Sequence, residues 1–216
     1  MGDGHMDSKA TAVAIKRYNR IAPLYNLMEF SAELAGYGKW RKLLWSKVEG
    51  NKILEVGVGT GKNLPYYPRG AEIVAIDFSE KMLERAVEKA AKLGTSVTLL
   101  QMDVQSLVFD DNTFDTVLGS FVFCSVPDPI LGLREIARVC KPGGKVLMLE
   151  HVLSANRITA WLMNLANPIV VRVMGANINR QTVDNVTKSG LMLERVTDLG
   201  AGVFKLIEAR KVRNTQ

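Results

Sequence analysis

Three carboxylates in this chain each close an apolar run. Glu55 follows Ile53-Leu54, Asp77 follows Ile73-Val74-Ala75-Ile76, and Asp103 follows Leu99-Leu100-Gln101-Met102. Between the first two lies Gly57-Val58-Gly59-Thr60-Gly61. Glycines lack Cβ, so the backbone there can turn tightly and approach a ligand closely. A helix N-terminus just after such a turn favours an anionic group, here an amino-acid carboxylate. An acid ending the second strand can take both hydroxyls of a ribose, which assigns Asp77. One after the third can accept from an adenine amino group, which assigns Asp103. Glu55 can accept from an ammonium, directly or through water. Phe78 and Met82 offer flat or soft apolar contact to a purine. Together these residue types describe a cleft for a nucleoside with a charged tail.

Glycine spacing separates this cleft from a dinucleotide site. The dinucleotide fingerprint is G-x-G-x-x-G. Here the third glycine, Gly61, comes one position early, and the place that wants glycine or alanine holds Lys62. A lysine there would crowd the helix–strand packing that the fingerprint's last glycine permits.

The elements that must hold these residues alternate strand and helix. Residues 8–20 read as a helix capped by Ser8 and ended by Pro23, with two further helices over 27–36 and 38–48. Strands are expected over 52–56, 72–76, 97–101, 114–123 and 145–149. Helices are expected over 62–67, 80–92 and 129–140, with Lys141-Pro142-Gly143-Gly144 turning the chain back before the fifth strand. Ser79 can cap the helix over 80–92, and Gly94 can close it. An irregular stretch over 151–180 precedes a helix near 181–189. Two strands over 192–197 and 203–209, joined by Gly200-Ala201-Gly202, read as an antiparallel hairpin. The fold class is therefore α/β: a Rossmann-like, doubly wound, mostly parallel seven-stranded sheet with a C-terminal antiparallel hairpin and an N-terminal helical cap. Residues 1–5 read as a tag remnant, 6–50 as the cap, and 51–216 as the main domain, all in one compact unit.

The 216 residues, 47% of them hydrophobic, can bury a substantial core. No run is long and apolar enough for a spanning helix, and there is no secretory signal. Cys124 and Cys140 lie in apolar runs without metal-ligand spacing, and there are only two histidines. This composition argues against a metal site and for a reducing, cytoplasmic setting. A net charge of +6 permits contact with nucleic acid, an anionic membrane or an acidic substrate. Between Glu150 and Asp184 there is no acid, only Arg157, Arg172 and Arg180 among many apolar residues. Residues 151–180 follow the fifth strand, so they are expected to hang over the cleft as a lid, a membrane contact or a dimer face.

The motif Glu55-Val56-Gly57-Val58-Gly59-Thr60-Gly61 resembles the first motif of class I S-adenosylmethionine-dependent methyltransferases. Asp77 resembles their ribose-binding acid and Asp103-Val104 their adenine-reading pair. Phe114-Asp115-Thr116-Val117 and Arg138-Val139-Cys140-Lys141-Pro142-Gly143-Gly144 resemble their later strand signatures. The resemblance covers about residues 50–150. It implies S-adenosylmethionine as cofactor, with S-adenosylhomocysteine as product. It also implies Thr60, Gly61, Val104 and Ser120 as cofactor-binding positions beside those above.

Tyr18-Asn19-Arg20-Ile21-Ala22-Pro23-Leu24-Tyr25 resembles the opening shared by quinone methyltransferases and bacterial phospholipid N-methyltransferases. In such enzymes this helix closes over the cofactor, which implies Tyr18 and Tyr25 beside it. Asn19 and Asn26 stand where that opening carries aspartate. The loop Phe123-Cys124-Ser125-Val126-Pro127 is closer to phospholipid N-methyltransferases and to small membrane-associated thiol methyltransferases. It lacks the Phe-Gly-x-Arg-Asn loop of quinone methyltransferases and the Asn/Asp-Pro-Pro-aromatic of enzymes that methylate bases. The expected activity is direct in-line methyl transfer to a lipophilic small molecule, with a phosphatidylethanolamine-type phospholipid first. A small thiol or a demethylquinone is the alternative. A binding module acting on a macromolecular partner is the competing class, although no nucleic-acid motif accompanies the basic charge. An ammonium or thiol acceptor must lose a proton, and His151, at the end of the fifth strand, is the expected base, with Tyr18 as a second polar contact. The expected membrane contact, on the inner face, runs through the N-terminal helix and the 151–180 lid.

Overall fold

The computed structural model describes residues 8–28 and 36–213. The tag-like residues 1–5 and most of the helix expected over 27–36 lie outside them. Helix α1 is Ser8–Met28 and α2 is Gly38–Trp45. Strands β1 (Lys52–Val56), β2 (Glu72–Asp77) and β3 (Thr98–Gln101) follow, with a 3-10 turn at Leu64–Tyr66 and α3 (Glu80–Leu93) between them. Then come β4 (Phe114–Ser120), α4 (Pro129–Val139), β5 (Cys140–His151), α5 (Arg157–Met174) and α6 (Thr182–Lys188). The chain ends in β6 (Met192–Gly200) and β7 (Phe204–Arg210).

The seven strands form one sheet in the order β3-β2-β1-β4-β5-β7-β6. The first five are parallel, and β7 runs antiparallel to both β5 and β6. Strand β1 explains the arrangement. Ile53, Leu54 and Val56 are all fully buried, as a strand covered on both faces must be. Ile53 joins Leu44, Trp45, Leu118 and Leu147 on one side, where α2 packs. Leu54 and Val56 join Leu133, Ile136, Val139 and Val186 on the other, where α4 and α6 pack. Each fully buried side chain of this kind contributes about 1.5–3 kcal/mol. Helix α3 covers the α2 side through Leu83 and Ala86 against Val58 and Ala75. Ser79 caps it by accepting from the Met82 amide at 3.2 Å, and Gly94 closes it at φ 62°.

Strand order reverses between β1 and β4, which opens a crevice at the carboxyl ends of β1, β2 and β4. The three glycines and all three acids sit along this edge.

Four expectations need correction. Helix α1 runs on through Pro23 to Met28. Pro23 lies on an exposed face, where water can satisfy the carbonyl that loses its donor. The helix expected over 62–67 is only the short 3-10 turn, held by Tyr66 N–H to the Asn63 carbonyl at 2.8 Å. Lys141-Pro142-Gly143-Gly144 does not turn the chain back. It is an irregular stretch inside β5, which begins at Cys140 and pairs with β4 across a register shift. Most of the stretch expected to be irregular is helix α5. Asn156 caps it, accepting from the Ile158 and Thr159 amides, and Gly175 ends it at φ 80°. Its apolar residues 158, 161, 162, 165, 169 and 173 recur at helical spacing, a pattern that Pro168 interrupts but does not break.

Candidate active site

The glycine turn and β2 are joined at the crevice. Asp77 accepts from the Gly59 amide at 2.9 Å through one oxygen and from the Ser79 amide at 2.9 Å through the other. Burial pushes the Asp77 carboxyl up to about 6, against the pull of those two amides. At Gly59, φ is +55° and a Cβ would project into open space. Gly61 differs: a Cβ there would meet Leu64 Cδ1 at 2.5 Å and the α3 backbone at Ala86 at 3.4 Å. Gly59 keeps the crevice open, whereas Gly61 allows close packing beneath it. Gly61 does not line the crevice, and it fills the packing role that the dinucleotide fingerprint gives its last glycine.

Three connected cavities run along the crevice. The first is lined by Gly57, Asp77, Phe78, Asp103, Val104 and Ser125, with Thr11 and Ala14 of α1 closing it. The second adds Tyr18, Gly59, Met82, Ser120 and Phe121. The third is lined by Arg41, Glu55, Gly57, Gly59, Thr60, Lys62 and Asn63. Ten of the expected cofactor residues therefore meet in one place by lining alone: Glu55, Gly57, Gly59, Thr60, Asp77, Phe78, Met82, Asp103, Val104 and Ser120. Tyr18 meets them on α1, with its ring edge-on to Phe78 at 5.5 Å. Tyr25 lies on α1, but its side chain is outside the described residues.

Glu55 is buried at the floor of the third cavity. Its two oxygens accept from Asn63 Nδ2 at 2.7 Å and from the Tyr67 hydroxyl. Burial pushes its carboxyl up to about 7, partly offset by these donors and by the Arg41 charge. Asn63 also donates to Ser120 Oγ at 3.0 Å and accepts from Arg41 at 3.2 Å. This end of the crevice therefore pairs an acid with a guanidinium, as the ammonium and carboxylate of an amino acid require. At the other end, Asp103 accepts from Thr11 Oγ1 at 3.1 Å, from the Gln105 amide at 2.9 Å, and from Gln105 Nε2 at 3.1 and 2.9 Å on its two oxygens. These contacts occupy the roughly four acceptor sites of a carboxylate, so an adenine amino group would take the place of the Gln105 side chain there. The open space over Gly59 and the buried Asp77 carboxylate beside it fit a ribose-bearing ligand.

Helix α1 is latched over the crevice through two residues of its Tyr18–Tyr25 motif. Asn19 Oδ1 accepts from Ser79 Oγ at 2.6 Å, and Tyr18 shares a hydrogen bond with Ser125. The loop carrying Ser125 leaves β4 through Phe121, at φ 58°. That conformation is strained for a bulky residue, by about 1–3 kcal/mol. Glu150 holds the loop by accepting from the Val122 and Phe123 amides at 2.9 and 3.1 Å. Burial pushes the Glu150 carboxyl up to about 7. Asn63 and Tyr67 had no motif to mark them. Ser125 stood in the quoted Cys-Ser-Val loop, which was the one available signal.

His151 is not among the residues lining the crevice. Its ring packs edge-on against Phe204 at 5.2 Å, and its Nδ1 is buried without a partner. Phe204 in turn meets Phe121 at 6.4 Å, so His151 stands behind the crevice wall. Burial pulls its pKa down, against a hydrogen bond with the Ile178 backbone. Cys124 is buried, and its thiol is pushed up to about 12 by burial, which makes it unfit as a nucleophile at neutral pH.

Among the described residues, no helix is long and apolar enough to cross a membrane. Helix α5 nevertheless exposes Ile158, Trp161, Leu162, Leu165, Ile169 and Val173.

Comparison with known proteins gives these features context. Residues 54–148 match a family model described as "Methyltransferase domain". The chain is 46% identical over 104 residues to a phosphatidylethanolamine N-methyltransferase of Cereibacter sphaeroides, covering 47% of this chain and 51% of that one. It is 36% identical over 153 residues to a demethylmenaquinone methyltransferase of Staphylococcus aureus, covering 67% of this chain and 63% of that one. The matched region thus spans between half and two thirds of these relatives. A solved S-adenosylmethionine-dependent methyltransferase of Methanosarcina mazei shares the fold, with a TM-score of 0.65 and 21% identity over 80% of this chain and 98% of that one.

Proposed function

We propose, from the match of residues 54–148 to a family described as "Methyltransferase domain" and from the crevice that fits a ribose-bearing ligand, that the protein is an S-adenosylmethionine-dependent enzyme that methylates a lipophilic small molecule. The lead substrate is a phosphatidylethanolamine-type phospholipid, methylated on nitrogen. The observation that carries this reading is the exposed apolar stripe of α5 beside a crevice shaped for a nucleoside. The relative of Cereibacter sphaeroides supports nitrogen of a phospholipid as the acceptor.

S-Adenosylmethionine, when bound, supplies an electrophilic methyl on a sulfonium. Asp77 would hold the ribose hydroxyls, Asp103 and Val104 the adenine, and Glu55 with Arg41 the amino-acid end. Phe78 and Met82 would flank the purine. The rest of the task is placement: holding an acceptor in line makes the step effectively unimolecular, worth up to about 7–11 kcal/mol. Helix α1 would exclude water by its latch to Ser79 and Ser125. Tyr18 and Ser125, whose hydroxyls already share a hydrogen bond in the crevice wall, are the polar groups best placed to orient an acceptor and take up its hydrogen bond. His151 we assign as a positioning residue acting through Phe204 and Phe121, because it stands behind that wall.

The basic charge and the α5 stripe would seat the protein peripherally on an anionic membrane, with Lys9, Lys16, Arg17 and Arg20 of α1 facing the headgroups. A demethylquinone acceptor is the second reading, favoured by the longer match to the Staphylococcus aureus relative.

The deciding experiment offers radiolabelled S-adenosylmethionine with phosphatidylethanolamine vesicles, a hydrophobic thiol, a demethylquinone, tRNA and protein. Label in the phospholipid supports the lead reading. Label in the quinone alone transfers it to the second. Label confined to tRNA or protein would sink the lipophilic reading altogether.

A further inference from the structure

Arg180 lies between α5 and α6, beside the loop that forms the crevice wall. One end of its guanidinium is fixed, with Nη2 donating to the Val126 carbonyl at 2.8 Å. Its Nε is buried and has no acceptor. Among the described residues no carboxylate forms an ion pair with it. Asp128 acts on it only through space, and its Oδ1 is engaged in capping α4 through the Ile130 and Leu131 amides. A half-buried guanidinium with an unmet donor and no ion-paired carboxylate is costly, because no contact at Nε replaces the hydration that burial removes.

That arginine faces an open groove between α1 and α5, whose other cations are Lys9 and Arg17. No acid lines it. Val13, Ala14 and Val171 supply apolar lining, with Ser125 and Asn177 as uncharged polar groups. The groove shares Ser125 and Pro127 with the first cavity of the crevice. Charge, apolar matter and access to the reacting end thus converge at Ser125.

We propose that this groove is an anion subsite which seats the phosphodiester of the acceptor, with Arg180 as the fixed donor and Lys9 and Arg17 as rim charges. An arginine fork matches the paired oxygens of a phosphodiester. The amine beyond the phosphate would then point past Ser125 into the crevice, and the acyl chains would leave along the apolar stripe of α5. The inference rests on the phospholipid reading for the identity of the substrate, but not for the binding of an anion.

The test measures binding to the full chain loaded with S-adenosylhomocysteine. The probes are glycerophosphoethanolamine, inorganic phosphate and ethanolamine, titrated calorimetrically into the wild type, Arg180→Gln and Arg180→Lys. Glycerophosphoethanolamine should bind the wild type and lose about tenfold or more in Arg180→Gln. Arg180→Lys should recover part of this, and ethanolamine should bind neither. S-Adenosylhomocysteine affinity should stay within about twofold throughout. Unchanged glycerophosphoethanolamine binding in Arg180→Gln would overturn the subsite, as would equal loss of S-adenosylhomocysteine affinity, which would make Arg180 a structural anchor. Inorganic phosphate binding as tightly as the phosphodiester would overturn the headgroup assignment in favour of a free-phosphate site. Should Arg180→Gln fail to fold, Lys9→Gln with Arg17→Gln on the α1 rim takes its place, and loss of the salt dependence of glycerophosphoethanolamine binding is then expected; retained salt dependence would overturn the proposal. Anion binding without methylation of phosphatidylethanolamine vesicles separates failure of the substrate reading from failure of the subsite.

Discussion

The amide of Gly59 donates to the carboxylate of Asp77 at 2.9 Å, so the glycine turn after β1 and the acid ending β2 form one hydrogen-bonded unit. Asp77 is fixed before any ligand arrives, and its remaining acceptor capacity faces the cavity. Removing it should cost cofactor binding rather than fold. Asp77→Ala is expected to weaken S-adenosylhomocysteine at least about tenfold, since hydrogen bonds to a charged group contribute about 1.5–3 kcal/mol each. Calorimetric titration at pH 8 would check this, and wild-type affinity in the variant would refute the ribose assignment.

The glycines separate binding from stability. Gly59→Ala places a methyl group in open space at φ +55°, so the expected cost in stability is only about 1–2 kcal/mol, with cofactor binding largely lost. Gly61→Ala drives a methyl group against Leu64 and the α3 backbone. Its expected cost is about 1–3 kcal/mol from overpacking, with further strain from its φ of +76°. Denaturant midpoints beside binding isotherms would tell the two apart, and identical behaviour would contradict the division.

Acidity should act on binding and stability with opposite signs. Asp77 titrates at about 6 and Glu55 at about 7, both raised by burial. A ligand that donates to these carboxylates prefers them ionised, so cofactor affinity should fall as pH drops from 8 through 7 and 6. The ligand-free fold behaves otherwise. Carboxylates raised above their unfolded values bind more protons when folded, so their stabilising contribution is complete below about 4.5 and is lost as pH rises through about 6 to 7. Glu150, also raised to about 7, contributes in the same direction. Glu150→Gln should flatten the pH dependence of the denaturant midpoint between 5 and 8, and an unaltered slope would argue against Glu150 as a contributor.

His151 offers a quantitative discrimination. A group that takes the proton directly accounts for about 10²–10⁴ in rate. Standing behind Phe204 and Phe121, His151 should lose less when changed. His151→Gln is expected to lower kcat less than about tenfold, whereas Tyr18→Phe and Ser125→Ala should alter KM for the acceptor. A loss of a thousandfold in His151→Gln would restore it as the base.

The α5 stripe should govern membrane contact. Trp161→Glu with Leu165→Glu, both at exposed positions, should reduce sedimentation with anionic vesicles while leaving S-adenosylhomocysteine affinity unchanged. Vesicle binding equal to the wild type would remove α5 from the interface.

Much of this was legible locally. The boundaries of β1 and the cap and stop of α3 followed from apolar runs, Ser79 and Gly94, because such features are set by residues within one turn or strand of each other. Proline is where the local pattern misleads. Pro23 and Pro168 each sit inside a helix, since a single lost backbone bond on an open face is outweighed by the turns on either side.

By itself the sequence determined residues that line the crevice: Gly57, Gly59, three acids and the strands that bring them to one edge. Those assignments depend on short-range spacing, and a parallel sheet converts spacing into position. Only the tertiary structure decided the rest. It set Thr11 against Asp103, latched Asn19 to Ser79, placed His151 behind a wall of aromatic rings and left Arg180 without an anion beside Val126. Each of these joins segments distant in the chain. Burial, and with it the cost of a charge or the pKa of an acid, is a property of what surrounds a group in space, which no local pattern encodes.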